Sequence, residues 1–121
     1  MDKAQLNMYG IDYDKGLLNC MGDLVFFKTL LSMFLRDDCF ARAKNAYAAG
    51  NQREMFACLH ELKGVSGNAA LVALYDAVAP IVEKLRCATP DEKELRELFV
   101  TAEAVYNRTC EGIRLAVGDE A

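Results

Sequence analysis

The chain has little of what many functional classes require. It contains no tryptophan, two prolines and a single histidine. No apolar run approaches the roughly 18 residues of a membrane span, and Met1-Asp2-Lys3 is not followed by an apolar segment, so neither a span nor a signal peptide is supported. No basic cluster is long enough to follow a phosphate backbone. With a net charge of −4 and a pI of about 5.0, nucleic acid is not an expected partner. The five cysteines, Cys20, Cys39, Cys58, Cys87 and Cys110, include no C-x-x-C pair and are odd in number. Zinc needs several cysteine or histidine ligands brought together, and one histidine adds little, so no metal site is expected. Five reduced cysteines used as small hydrophobes are the expectation, which suits a cytoplasmic location. Strand signals are missing as well, because no segment alternates polar with apolar residues at period two.

What remains is helix. The 121 residues suffice for one domain with a single core. Residues 1–11 read as an N-terminal arm in which Leu6, Met8, Tyr9 and Ile11 can pack down. A short helix follows Asp12, and Gly22-Asp23 ends it and caps the next. Residues 24–36 carry a wide apolar stripe, and residues 39–49 form another helix that stops at Gly50. Asn51 is placed as an N-cap, with Glu54 in the capping-box position. Residues 70–87 repeat apolar residues at helical spacing, with a kink expected near 76–80 because Pro80 removes a backbone hydrogen bond. Thr89-Pro90-Asp91-Glu92 predicts a helix start with Thr89 as cap, and the last helix runs from about 91 to 116. The short connections favour antiparallel neighbours. An all-α fold is therefore predicted: an up-and-down antiparallel four-helix bundle over 12–117, with additional short N-terminal helices and a frayed end at 118–121.

The most informative stretch is Leu59-His60-Glu61-Leu62-Lys63-Gly64-Val65-Ser66-Gly67-Asn68. On a helical wheel of about 100° per residue, Met55, Cys58, Leu59, Leu62, Val65, Ser66 and Ala69 fall on one half. Arg53, Phe56, Ala57, Lys63, Gly64 and Gly67 gather around His60 on the other, so His60 faces solvent. Each glycine inside a helix costs about 1 kcal/mol relative to alanine. That cost has a function if another molecule must approach His60 closely, because glycine leaves bare backbone. Lys63, one turn on, puts an ammonium on the same face. An exposed imidazole with a cation beside it suits the carriage of a phosphoryl group.

These residues resemble a known family. His60-Glu61-Leu62-Lys63-Gly64 followed by Gly67-Asn68 is similar to the H-x-L-K-G-x-x-G-N signature of histidine-containing phosphotransfer (HPt) domains, the relay modules of multistep two-component signalling. The resemblance extends upstream through Gly10–Leu17, Met21-Gly22-Asp23 and Leu30–Leu35, and covers roughly residues 10–87. The sequence departs from the family at Leu59, where a small residue is usual, and at Pro80. The resemblance implies that His60 is the phosphorylated residue and that Lys63 assists it. The wheel itself makes Phe56, Gly64, Gly67, Arg53 and Ala57 the residues expected to meet the partner. The partners would be receiver domains of a hybrid sensor histidine kinase and of a response regulator. The module itself would be a monomer without kinase activity or cofactor.

The chemistry is consistent with that division of labour. An unperturbed imidazole has a pKa of about 6.5, so at pH 7 it is mostly neutral with one nucleophilic nitrogen. Phosphoryl transfer depends on positioning and on charge neutralisation, usually by a metal ion. No carboxylate cluster lies near His60 in sequence, and Glu61 is a single acid, so the metal and the aspartate are expected from the partner. Two other functions remain open at the level of sequence. The same face would serve a docking module that is never phosphorylated. Alternatively, His60 would act as a general base in a hydrolase or transferase, which requires a substrate pocket and an orienting acid.

Overall fold

The computed structural model describes residues 1–118, and among these there are helices and turns but no strands. The helices are α1 (Lys3–Met8), α2 (Tyr13–Asn19), α3 (Leu24–Phe34), α4 (Cys39–Ala48), α5 (Gln52–Asn68), α6 (Val72–Leu85) and α7 (Glu92–Val117). One device starts most of them. Asp2, Asp12, Asp23, Asn51 and Asp91 each accept a hydrogen bond from the backbone N–H three residues on, at 3.0–3.2 Å. Each satisfies an amide that the helix itself leaves without a partner.

Several local expectations are corrected. The segment read as an arm contains α1, whose Leu6 is fully buried, as is Ile11, while Met8 is exposed. The Arg108 guanidinium fastens this segment to α7, lying 4.7 Å from the Tyr9 ring centroid and donating to the Met8 carbonyl at 3.0 Å. The cap of α7 is Asp91 and not Thr89. A carboxylate is the stronger N-cap, and the Asp91 side chain accepts from the Glu94 N–H at 3.0 Å. Glu54 does not close a capping box: its carboxylate accepts from the Cys58 thiol at 3.3 Å, and the Asn51 N–H donates to the Ala46 carbonyl at 2.9 Å. Gly50 follows the last turn of α4 at φ +70°, a conformation that suits glycine. Pro80 lies inside helix α6, as expected from sequence. The expected fraying concerned residues 118–121, and 119–121 lie outside the described residues.

The core is continuous. Helix α5 packs on α4 and α6, α6 on α7, and α1 and α3 also reach α7. Aromatic rings join α4 to α7: Phe40 stacks on Tyr106 and Phe99 with centroids 4.4 and 5.4 Å apart. Phe34 of α3 meets the same Tyr106 at 5.9 Å. At the rim, the Lys44 ammonium lies 2.6 Å from the Glu103 carboxylate. Cys20, Cys39, Cys58 and Cys110 are buried as expected, and burial pushes their thiols above the usual range. Cys87 corrects the expectation of five core thiols, because it is exposed in the α6–α7 connection. All five are free. Among the described residues no single helix is long and apolar enough to cross a membrane. Only α2 with the α3–α4 segment has that composition, as a pair bent by 105°. The apolar residues of that pair include Phe27, Leu31, Phe34 and Phe40, which are buried in this fold.

Candidate functional site

The site is the outward face of α5. Met55, Cys58, Leu59, Leu62, Ser66 and Ala69 are at most 1% exposed, and they anchor the opposite face in the core. Leu59, where the sequence departs from the HPt signature, is on that buried side. His60 is therefore exposed by the same periodicity that buries its neighbours. Arg53, Ala57 and Gly64 share its exposure, while Phe56, Lys63 and Gly67 are half-buried.

Neighbouring helices define the surroundings of the imidazole. The Phe56 ring stacks on it with centroids 5.6 Å apart and planes inclined by 25°. Arg86, just beyond the end of α6, places its guanidinium 5.3 Å from the Phe56 centroid. Phe56 is thus not the lone exposed aromatic expected from sequence, because it packs on the core, on Arg86 and on His60. The Lys63 ammonium rests 5.5 Å from the Tyr75 ring centroid on α6. Glu61 is held from the other side by Arg42 at 3.1 Å, and Arg42 also bonds Asp38 at 3.0 Å. Exposed ion pairs of this kind contribute little stability, but the one to Glu61 ties α5 to α4 beside the histidine.

The glycines of this face differ in their surroundings. A Cβ built on Gly64 would meet nothing within 4 Å. One built on Gly67 would stand 3.6 Å from the Tyr75 ring, an ordinary contact. Packing within the chain therefore requires neither residue to be glycine. The end of α5 is held by Asn19, whose side-chain amide donates to the carbonyls of Gly67 (3.5 Å) and Asn68 (3.3 Å). Among the described residues no group of three or more histidine, cysteine or acidic side chains is placed to hold a metal ion.

Sequence reasoning missed one large feature. Leu18 and Met21 at the end of α2, and Val25, Phe26 and Met33 on α3, are all more than half exposed. Met21 is 95% exposed at φ +57°. An open groove of about 430 Å³ lies between Leu30, Met33 and Phe34 of α3 and Val65 and Asn68 of α5. Through Met33, the exposed apolar residues of α3 reach the groove beside the helix that carries His60. The sequence assigns residues 24–36 a wide apolar stripe. Only the fold shows which face of α3 lacks cover.

No family model, curated protein or solved structure matches the chain.

Proposed function

We propose that this chain is a histidine phosphotransfer module, in which His60 accepts a phosphoryl group from the aspartate of one receiver domain and passes it to the aspartate of another. The observation that carries the proposal is an exposed imidazole followed one turn later by Gly64, a helical glycine with open space where its Cβ would stand. Bare backbone there permits a partner's active site to close over the ring. In the transfer step the lone pair of one ring nitrogen forms a P–N bond as the P–O bond to the aspartate breaks. The aspartate leaves as carboxylate, and the other ring nitrogen keeps its proton. The receiver supplies the metal ion that neutralises the phosphoryl oxygens. Lys63, one turn from His60 with its ammonium over the Tyr75 ring, adds a positive charge on that face that favours the phosphoryl group by at most about 1 kcal/mol in water.

On this proposal helices α4 to α7 form the antiparallel up-and-down four-helix bundle of the HPt family, with α1 to α3 packed beside it. The side-to-side packing of α4, α5, α6 and α7, closed by the Phe40 stack on α7, supports that arrangement. Gly64, Gly67, Arg53 and Ala57 form the ridge the receiver meets. The apolar residues of α2 and α3 extend that ridge into a surface wide enough for docking. The working form is a cytoplasmic monomer that exposes one face to successive partners.

The test is phosphotransfer from a purified phosphorylated receiver domain to the wild-type chain and to His60→Gln. Label on the wild type alone, lost in acid and retained in base, is expected. Absence of label from several receivers, together with binding that Gly64→Arg abolishes, would instead identify a docking module.

A further inference from the structure

Phe56 stands between two groups that have no reason to meet it by chance. On α5 it lies one turn before His60, and its ring stacks on the imidazole. From α6, Arg86 packs its guanidinium on the same phenyl ring. Arg86 is itself fixed. Its Nε donates to Glu83 at 3.3 Å, and the side-chain amide of Gln52 donates to the flanking carbonyls of Leu85 (3.3 Å) and Cys87 (2.9 Å). Gln52, Phe56 and His60 recur at four-residue spacing along one strip of α5. The end of α6 is thus braced on Gln52, Phe56 on the end of α6, and His60 on Phe56.

An exposed histidine on a helix ordinarily samples several rotamers and presents either ring nitrogen to solvent. Offset stacking at a centroid distance of 5.6 Å restrains the imidazole plane, and a cation over the phenyl face adds to the hold. We propose that Phe56, braced by Arg86, is a positioning residue for His60: it fixes the imidazole plane so that a single ring nitrogen is offered to the phosphoryl donor. This rests on the assignment of His60 as the phosphoryl acceptor. It replaces the simpler view of Phe56 as a docking anchor, since a ring already engaged by Arg86, His60 and the core offers a partner little free surface.

The proposal is tested without any protein partner. Phosphoramidate transfers its phosphoryl group to imidazole: a P–N bond to the ring forms, the P–N bond of the donor breaks, and the nitrogen leaves as ammonia. Phosphorus and nitrogen NMR identify which ring nitrogen is modified. Three-bond couplings of His60 in the unmodified protein report its rotamer population. The wild type is expected to give one phosphohistidine isomer and one dominant rotamer. Phe56→Leu keeps an apolar side chain but lacks the stacking face. It is expected to give a mixture of isomers and about two- to tenfold slower modification, the loss that corresponds to one aromatic stack. Phe56→Tyr restores the wild-type pattern, and Arg86→Met falls between.

A Phe56→Leu protein with wild-type isomer, rotamer population and rate overturns the proposal. If the wild type does not react with phosphoramidate, equal rotamer populations in the wild type and Phe56→Leu overturn it in the same way. Failure of the relay proposal looks different. The wild type then takes no label from any receiver, while the rotamer population still separates Phe56→Leu from Phe56→Tyr.

Discussion

Apart from the turn glycines Gly22, Gly50 and Gly118, whose positive φ itself calls for glycine, the glycines of the described residues occur in two settings, and each setting explains the other. Where the N-terminal helices meet the rest, glycine is demanded by a neighbour. A Cβ on Gly10 would lie 2.4 Å from the Ala73 Cβ, one on Gly16 would enter the Phe27 ring at 2.3 Å, and one on Gly112 would strike Tyr9 at 2.5 Å. On the His60 face, Gly64 has no neighbour at all. The first group shows what a structural glycine looks like here: bare backbone filled by another part of the same chain. Gly64 has the same bare backbone and nothing filling it. What would fill it, on the proposed function, is a second protein.

The largest effect expected from breaking this contrast is at Gly10. Its φ of +80° is unfavourable for alanine, and its Cβ would overlap Ala73. Left-handed geometry costs about 1–2 kcal/mol for a residue with a Cβ, and overpacking adds about 1–3 kcal/mol. Gly10→Ala is therefore expected to lower stability by about 3 kcal/mol in urea unfolding. Gly112→Ala should lose less, because alanine returns about 1 kcal/mol of helix propensity. Wild-type stability for both variants would mean that the N-terminal helices are docked less firmly than the contacts at Ala73 and Tyr9 imply.

The opposite face of α5 supplies a second comparison within one helix. Ser66 is fully buried, and its hydroxyl has no hydrogen-bond partner in the structure. A buried hydroxyl left unpaired costs about 1–3 kcal/mol, and alanine is the better helix former. Ser66→Ala is expected to stabilise by about 1 kcal/mol and to leave phosphotransfer unchanged. A loss of stability would show that the hydroxyl is satisfied, for instance by a water in the cavity it shares with Lys15, Tyr75 and Asp76.

How much of this was legible before folding divides along similar lines. The face of α5 was readable, because a 3.6-residue period decides which side of a helix is buried, and Met55, Leu59 and Leu62 lie where that period puts them. Gly64 and Gly67 were readable as unusual, but a glycine in a helix gives the same signal whether its reason is a neighbour or a partner. Gly16 and Gly112 therefore drew no attention, since Phe27 and Tyr9 reach them only in three dimensions. Arg86, Tyr75 and Asn19 were invisible for the same cause: each comes to α5 from another helix. The shape of the α5–α6 junction was not legible either. Ala70 takes φ +57° without being glycine or asparagine, and its carbonyl accepts from the Asp12 N–H at 2.9 Å. That bond, with the Ala73 N–H donating to the Gly10 carbonyl at 3.1 Å, ties the N-terminal segment to the end of the histidine helix.

Gly64 itself is the sharpest test, because stability and function should move in opposite directions. With open space around the added methyl, Gly64→Ala is expected to stabilise by up to about 1 kcal/mol. On the proposed function the same methyl stands in the path of a receiver, so transfer should slow, and Gly64→Arg should stop it while leaving the fold intact. Destabilisation by Gly64→Ala would place this glycine with Gly16 and Gly112 and remove the main support for close approach. Unchanged transfer in Gly64→Arg would do so more directly.

Gly67 lies between the two settings and should show the smallest effect. Its Cβ would touch the Tyr75 ring at 3.6 Å, a contact that neither clashes nor leaves a gap. Gly67→Ala is expected to gain a few tenths of a kcal/mol up to about 1 kcal/mol, as helix propensity and one new apolar contact add. Because the Tyr75 ring already covers that position, the methyl takes less space from a partner than it does at Gly64. Transfer should therefore slow less than in Gly64→Ala. If Gly67→Ala slows transfer more, the receiver seats toward the end of α5, over Asn68 and the groove beside α3, and the apolar surface of α2 and α3 carries more of the contact than the ridge around His60.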